Sequence, residues 1–154
     1  MSFAFRPAAE GDFEALLDLS VRVMRAHLER VGRFDPERRR ARMRAGFDPA
    51  LFRLIESEGL IAGCVAIMDH PDHREIHSFY LEPWAQGRGL GRAVLDAILA
   101  ERPDRPVRIE VLKESPAARF YERAGFRLTG EAPFDLLYER PGEHPGVGAA
   151  APGA

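Results

Sequence analysis

Three glycines separated by single residues, Gly87, Gly89 and Gly91, lie between a proline-stopped strand and an amphipathic helix. The strand is predicted from about Glu75 to Leu81 and ends before Pro83. The helix carries Leu90, Ala93, Val94, Ala97 and Ile98 as one apolar stripe at helical spacing. Glycines remove the Cβ atoms that keep an anion away from the main chain. The first amides of the following helix then face that anion, with the helix dipole favouring negative charge. A pyrophosphate is the ligand this loop suits, and the bland alternative is a glycine-rich turn. Two nucleotide motifs fail on spacing. No Gly-Lys-Ser/Thr ends the loop, and Arg92 stands where a dinucleotide fingerprint starting at Gly87 needs a small residue.

The remaining pattern predicts a mixed α/β sheet with helices on its faces. A short strand at Phe3–Phe5 stops at Pro7, and Asp12 is placed to cap a helix with Phe13, Leu16, Leu17, Met24, Leu28 and Val31 on its apolar face. Gly32 ends it, and Asp35-Pro36 opens a second helix running to about Gly46. Strands at Leu51–Ile55 and Leu60–Met68 flank the Glu58-Gly59 turn, and His70-Pro71-Asp72-His73 forms the next turn. Pro103 and Pro106 separate the glycine-led helix from a strand at Val107–Val111. A helix from Ser115-Pro116 then ends at Gly125, and a strand or hairpin covers Phe126 to Glu139. Residues 1–140 are expected to form a single domain, and the Pro/Gly/Ala-rich 141–154 a disordered tail.

Composition narrows the function. The 22 basic and 24 acidic residues leave a net charge of -2, against an electrostatic nucleic-acid binder. No apolar run approaches the roughly 20 residues of a membrane span, and no basic-then-apolar signal opens the chain. One cysteine, Cys64, excludes an internal disulfide framework and a multi-cysteine zinc site. A cytoplasmic protein that binds neither nucleic acid nor membrane is expected.

A second block follows the glycine loop: Ser115-Pro116-Ala117-Ala118-Arg119-Phe120-Tyr121-Glu122-Arg123-Ala124-Gly125-Phe126. It resembles the Asn-Pro-Ala…Leu-Tyr-Glu-Arg-x-Gly-Phe segment of the GNAT superfamily of N-acetyltransferases. Gln86-Gly87-Arg88-Gly89-Leu90-Gly91 is similar to that superfamily's acyl-coenzyme A signature, Arg or Gln, two residues, Gly, any residue, Gly or Ala. Element order matches over about residues 3 to 139. The resemblance implies the GNAT-like acyl-coenzyme A N-acyltransferase fold, with about six to seven strands and about four helices. It also implies acetyl-coenzyme A as cosubstrate, no metal, and an amine acceptor that is a small molecule or a peptide. A monomer or homodimer is expected.

Residue by residue, the resemblance assigns the pyrophosphate to the loop of Gln86, Gly87, Arg88, Gly89, Leu90 and Gly91, with Arg92 beside it. Main-chain groups near Leu81 pair with the pantetheine arm like an added strand. The thioester is expected where strands 75–81 and 107–112 splay apart. Ser115 and Phe120 of the second block are further coenzyme A contacts. Ser115 stands where the family usually has Asn, which keeps a helix cap but alters any contact made by the asparagine side chain. Tyr121 matches the tyrosine that protonates the departing thiolate, since direct attack by an amine expels a thiolate that needs a donor. Its other reading is a core aromatic on a stripe with Ala117, Phe120 and Ala124.

The attacking amine must also lose a proton. Glu75 lies where some family members carry a base glutamate, but beside a turn it reads equally as a solvated carboxylate. His77, with an intrinsic pKa near neutrality, and a water relay are the alternatives. Strict alternation puts Glu75, His77, Phe79 and Leu81 on one face and Ile76, Ser78 and Tyr80 on the other.

The Met24–Arg44 segment is expected to wall the acceptor site, with Arg38, Arg39, Arg40, Arg42 and Arg44 read as a solvated charged face. His27, Glu29, Phe34 and Trp84 are candidate lining residues. His70 and His73 have loose metal-ligand spacing, but with no third ligand apparent they read as a turn. Cys64, between Ile61 and Ile67, reads as buried packing. The competing function, from another class, is a non-catalytic acyl-coenzyme A sensor that shares the loop and lacks the chemistry.

Overall fold

The computed structural model describes residues 2–143, within which seven strands and four α-helices follow in the order expected from the sequence. They are β1 (Ala4–Pro7), α1 (Phe13–Arg30), α2 (Pro36–Gly46), β2 (Phe52–Ser57), β3 (Leu60–Asp69), β4 (Arg74–Leu81), α3 (Leu90–Glu101), β5 (Val107–Leu112), α4 (Ala117–Arg123), β6 (Arg127–Glu131) and β7 (Asp135–Arg140). The strands hydrogen-bond in the order β1-β2-β3-β4-β5-β7-β6. Most of the expected tail, 144–154, lies outside the described residues. Among those described, no helix is long and apolar enough to cross a membrane.

Backbone contacts divide the chain into two units. One joins the residues up to Ile67 to His77–Gly91, and the other joins Met68–Ile76 to the residues from Arg92 onward.

In the first unit, local chemistry sets the boundaries of the helices. Asp35 Oδ1 accepts from the amides of Glu37 (3.0 Å) and Arg38 (3.2 Å), and Pro36 opens α2. Asp12 does not cap α1 as expected. Its carboxylate instead accepts from the Ala9 amide at 2.8 Å and closes a short 3-10 turn before the helix. Gly32 takes φ 70°, and the Arg33 amide reaches back to Leu28 O at 2.7 Å to finish α1. Glu58 and Gly59, at φ 55° and 76°, make the tight β2–β3 turn. The core joins Phe13, Leu16 and Leu19 of α1 to Met43, Phe47, Phe52, Leu54 and Cys64. Phe47 sits between two rings, edge-on to Phe13 at 5.5 Å and tilted against Phe52 at 5.0 Å between ring centres.

Two irregularities shape the middle of this unit. The β2–β3 register slips so that Ile55 pairs with Gly63 and Glu56 with Ile61, leaving Ala62 as an extra residue. On β4, Ser78 takes φ 47°, a left-handed conformation inside a strand. That residue interrupts the pleat, so the two-face assignment expected from strict alternation across 75–81 does not hold beyond it. The Cys64 thiol donates to the Ser78 carbonyl at 3.3 Å.

In the second unit, β4 pairs in parallel with β5 through Arg74–Val107, Glu75–Arg108 and Ile76–Ile109. Strand β7 runs antiparallel between β5 and β6, from Val107–Arg140 to Leu112–Asp135 on one side. Val94 and Ile98 of the expected α3 stripe are fully buried, Ala93 and Ala97 only partly, and Leu95, which the stripe left out, is fully buried as well. Arg74 is buried too, and its guanidinium is fully employed. Nε donates to Asp69 at 2.7 Å, and Nη1 reaches Ile98 O and Glu101, each at 3.2 Å. At the far end the Glu143 amide donates to Pro103 O at 2.7 Å.

Candidate functional site

The glycine loop begins where β4 ends, and it lies in the first unit with the His77–Leu81 part of that strand. Glu82 donates its amide to Ala62 O at 2.7 Å, which fixes the strand end. Its carboxylate takes a two-pronged bond from Arg22 of α1, at 2.9 and 3.1 Å. Pro83–Ala85 form a single 3-10 turn holding the half-buried Trp84. Gln86 then folds back, its Nε2 donating to Leu81 O at 2.9 Å. The expected Leu81 and Gln86 positions are therefore joined directly.

Gln86, Gly87, Arg88 and Gly89 are exposed, whereas Leu90 is fully buried and anchors the start of α3. Gly87 and Gly89 have φ of 73° and 83°. A Cβ built on either would meet nothing within 4 Å. The glycines are thus demanded by left-handed backbone, not by crowding, and they leave open main chain ahead of a helix whose first amides lack intrahelical partners.

Within the second unit, Arg92 Nε donates to Asp96 at 2.9 Å and Nη1 to Arg123 O at 3.2 Å, binding the first turn of α3 to the last of α4. The Ser115 hydroxyl accepts from the Ala117 amide at 3.1 Å, so serine keeps the helix start that its position predicts. Tyr121 is 5% exposed. Its ring packs edge-on against Phe120 at 5.0 Å and Phe126 at 5.4 Å. The aromatic packing expected of Tyr121 is present.

Of the two candidate bases, His77 is exposed on β4. Glu75 belongs to the other unit, with its Oε1 2.6 Å from His70 Nε2 and 3.3 Å from His73 Nε2. The expectation that no third ligand accompanies the two histidines is corrected here: Glu75 joins them. The signal was present in the spacing, because His73 and Glu75 stand only two residues apart where the turn runs into β4.

The arginine run is also not a purely solvated face. Arg40 and Arg44 pair with Glu14 and Glu10, and both guanidiniums lie over the Phe13 ring, at 5.6 and 4.6 Å. Arg39 turns inward, donating from Nη2 to Tyr80 Oη at 2.8 Å and from Nε to the buried Ser20 Oγ at 3.4 Å. Of the other lining candidates, Phe34 lies 4.7 Å under the Arg25 guanidinium, and Arg25 also binds Glu29 at 2.5 Å. Partial burial, with Arg30 nearby, holds the His27 pKa below its ordinary value.

Residues 48–128 match the acetyltransferase (GNAT) domain family. Among curated proteins, the mycothiol acetyltransferase of Cellulomonas flavigena is 34% identical over 132 residues, covering 75% of this chain and 37% of that protein. The mycothiol acetyltransferase of Beutenbergia cavernae is 33% identical over 124 residues, covering 76% of this chain and 42% of that protein. The chain thus spans about two fifths of the length of these curated relatives. Among solved structures, the PaiA N-acetyltransferase of Thermoplasma acidophilum, crystallised with coenzyme A, has the same fold. Its TM-score is 0.72 at 17% identity, over 92% of this chain and 99% of that one. The family match takes in more than half of the residues, and the chain belongs to the GNAT acetyltransferase family.

Proposed function

We propose that the chain transfers an acetyl group from acetyl-coenzyme A to a primary amine by direct attack in a ternary complex. The observation that carries this reading is the open, left-handed glycine backbone at Gly87 and Gly89 leading into α3. A diphosphate suits that stretch because it offers unobstructed amide donors at the positive end of a helix dipole. Arg88, exposed in the same loop, adds a cation.

In the reaction, a C–N bond forms and the C–S bond of the thioester breaks. The nitrogen loses a proton, and the sulfur leaves as a thiolate that gains one. Tyr121 supplies the proton to sulfur. Its ring, held between Phe120 and Phe126, loses little rotational freedom when the hydroxyl is put to use. For the proton on the amine we assign His77, directly or through water. Glu75 takes no part, because its carboxylate is already against two imidazoles. The acceptor belongs to the class of amines carried by small molecules or peptides. Relatives bear the name mycothiol acetyltransferase, which makes amines on small molecules the first to test.

A thiol-release assay with acetyl-coenzyme A and a panel of such amines tests the reading. Amine-dependent release of free coenzyme A with matching N-acetyl product is the expected result. Tight coenzyme A binding with no transfer to any amine in the panel would instead favour a sensor.

A further inference from the structure

His70 and His73 flank the Pro71-Asp72 turn and Glu75 is the second residue of β4, so one hairpin supplies all three side chains. The two imidazoles stack in parallel, 4.3 Å apart with a 6° interplanar angle. Both Nε2 atoms face the same carboxylate oxygen, Glu75 Oε1, at 2.6 and 3.3 Å. One donor atom from each of the three residues falls within a 4.8 Å cluster. The turn beneath them is braced. Arg105 Nη1 donates to the carbonyls of His70 and Pro71, each at 2.6 Å, and the His70 amide donates to His73 O at 2.8 Å.

Neutral imidazoles do not satisfy this arrangement. His73 Nδ1 lies 2.7 Å from Asp72 Oδ1, which takes the one proton of a neutral ring. The Nε2 lone pair then opposes a lone pair of Glu75. His70 Nε2 lies close to the same oxygen without the alignment of a hydrogen bond, and this buried nitrogen has no hydrogen-bond partner. A lone pair of His73 and the Glu75 carboxylate converge beside the unpartnered His70 Nε2, and positive charge at that point, a metal ion or added protons, balances them.

We propose that His70, His73 and Glu75 bind a divalent transition-metal ion, with Zn²⁺ the best match. Two imidazoles and one carboxylate suit zinc, whereas Ca²⁺ and Mg²⁺ take oxygen ligands. Zinc bonds of about 2.0–2.2 Å put tetrahedral ligands about 3.3 Å apart, so the three donors need only small side-chain adjustments. Water fills the fourth position. Asp72 is the outer partner that presents His73 through Nε2, the usual arrangement behind a metal-bound histidine. The ion clamps the β3–β4 turn and has no part in acyl transfer.

The test uses the full chain, untagged and stripped of metal by chelator, with Co²⁺ as the probe. The expected result is one equivalent of Co²⁺ giving the visible d–d bands of a tetrahedral site, displaced by Zn²⁺. His73→Ala and Glu75→Gln each weaken binding at least tenfold, and Asp72→Asn weakens it by about tenfold. Circular dichroism checks that each variant is folded, and Glu75→Gln, nearly isosteric, keeps the test decisive if a histidine variant unfolds. Bands absent from the wild-type protein, or unchanged in Glu75→Gln, overturn the proposal. So do NMR spectra in which both imidazoles are doubly protonated at neutral pH and do not respond to Zn²⁺, because protons then balance the cluster.

Discussion

Gly63 on β3 and Tyr80 on β4 approach so closely that a Cβ on Gly63 would lie 2.1 Å from the Tyr80 carbonyl oxygen. It would also lie 3.1 Å from Leu81 Cα, so the obstacle is backbone that cannot swing aside. Glycine is needed here for space, whereas at Gly87 and Gly89 it is needed for backbone angle.

Gly63→Ala is therefore expected to destabilise the protein by about 1–3 kcal/mol, the usual cost of overpacking. It should also raise the KM for acetyl-coenzyme A, since the strand end at Leu81 must shift. Urea unfolding measures the first effect. An unchanged midpoint would show that the two strands part freely.

Gly89→Val places a β-branched residue at φ 83°, where the strain is about 1–2 kcal/mol. Its surroundings are open, so the fold survives and the loop relaxes to a different path. Coenzyme A affinity should fall at least tenfold by calorimetry while the far-ultraviolet spectrum stays the same. Retained affinity would mean that the diphosphate is held elsewhere.

Tyr121→Phe keeps the ring contacts with Phe120 and Phe126 and removes only the hydroxyl. For a lost general acid, kcat should drop about a hundredfold, with the KM for acetyl-coenzyme A nearly constant. Steady-state kinetics with a responsive amine decide it. A variant as fast as the parent would remove Tyr121 from the mechanism.

Asp69 tests the buried Arg74. The Arg74 guanidinium bonded to it holds the Asp69 carboxyl below its ordinary value of 3.8, with smaller help from Arg102 and Arg105. A folded-state pKa below the unfolded one stabilises the protein above the unfolded value, and that stability is lost as pH falls through the depressed folded value. The Asp69 side chain is half exposed, so solvent screens the effect. Asp69→Asn should lower stability at pH 7 and flatten the loss between pH 5 and pH 3, followed by urea midpoints across that range. Parallel pH profiles for the two proteins would contradict this.

Features that local chemistry specifies were legible in the sequence. Asp35-Pro36 starts α2 because a carboxylate and a ring with fixed φ act within a single turn. The Gly-x-Gly-x-Gly stretch announces its loop because few other residues tolerate the required φ. Features set by distant partners were not legible. Ser78 has no glycine to mark its left-handed backbone, and the slip that leaves Ala62 unpaired on β3 is a matter of strand pairing. Arg39 looks like its neighbours in a basic run, yet it turns inward because Tyr80 and Ser20 offer acceptors. Glu75 reads in the sequence as a carboxylate beside a turn, but its meeting with His70 depends on how that turn folds.

Cys64 has a practical consequence. It is the chain's single cysteine, fully buried, with burial pushing its thiol up to about 12. At neutral pH the folded protein presents almost no thiolate to a maleimide or iodoacetamide reagent. The natural sequence is therefore already a clean background for single-site fluorophore or spin-label attachment. A new cysteine on any exposed position should label alone, without first sacrificing a native core residue.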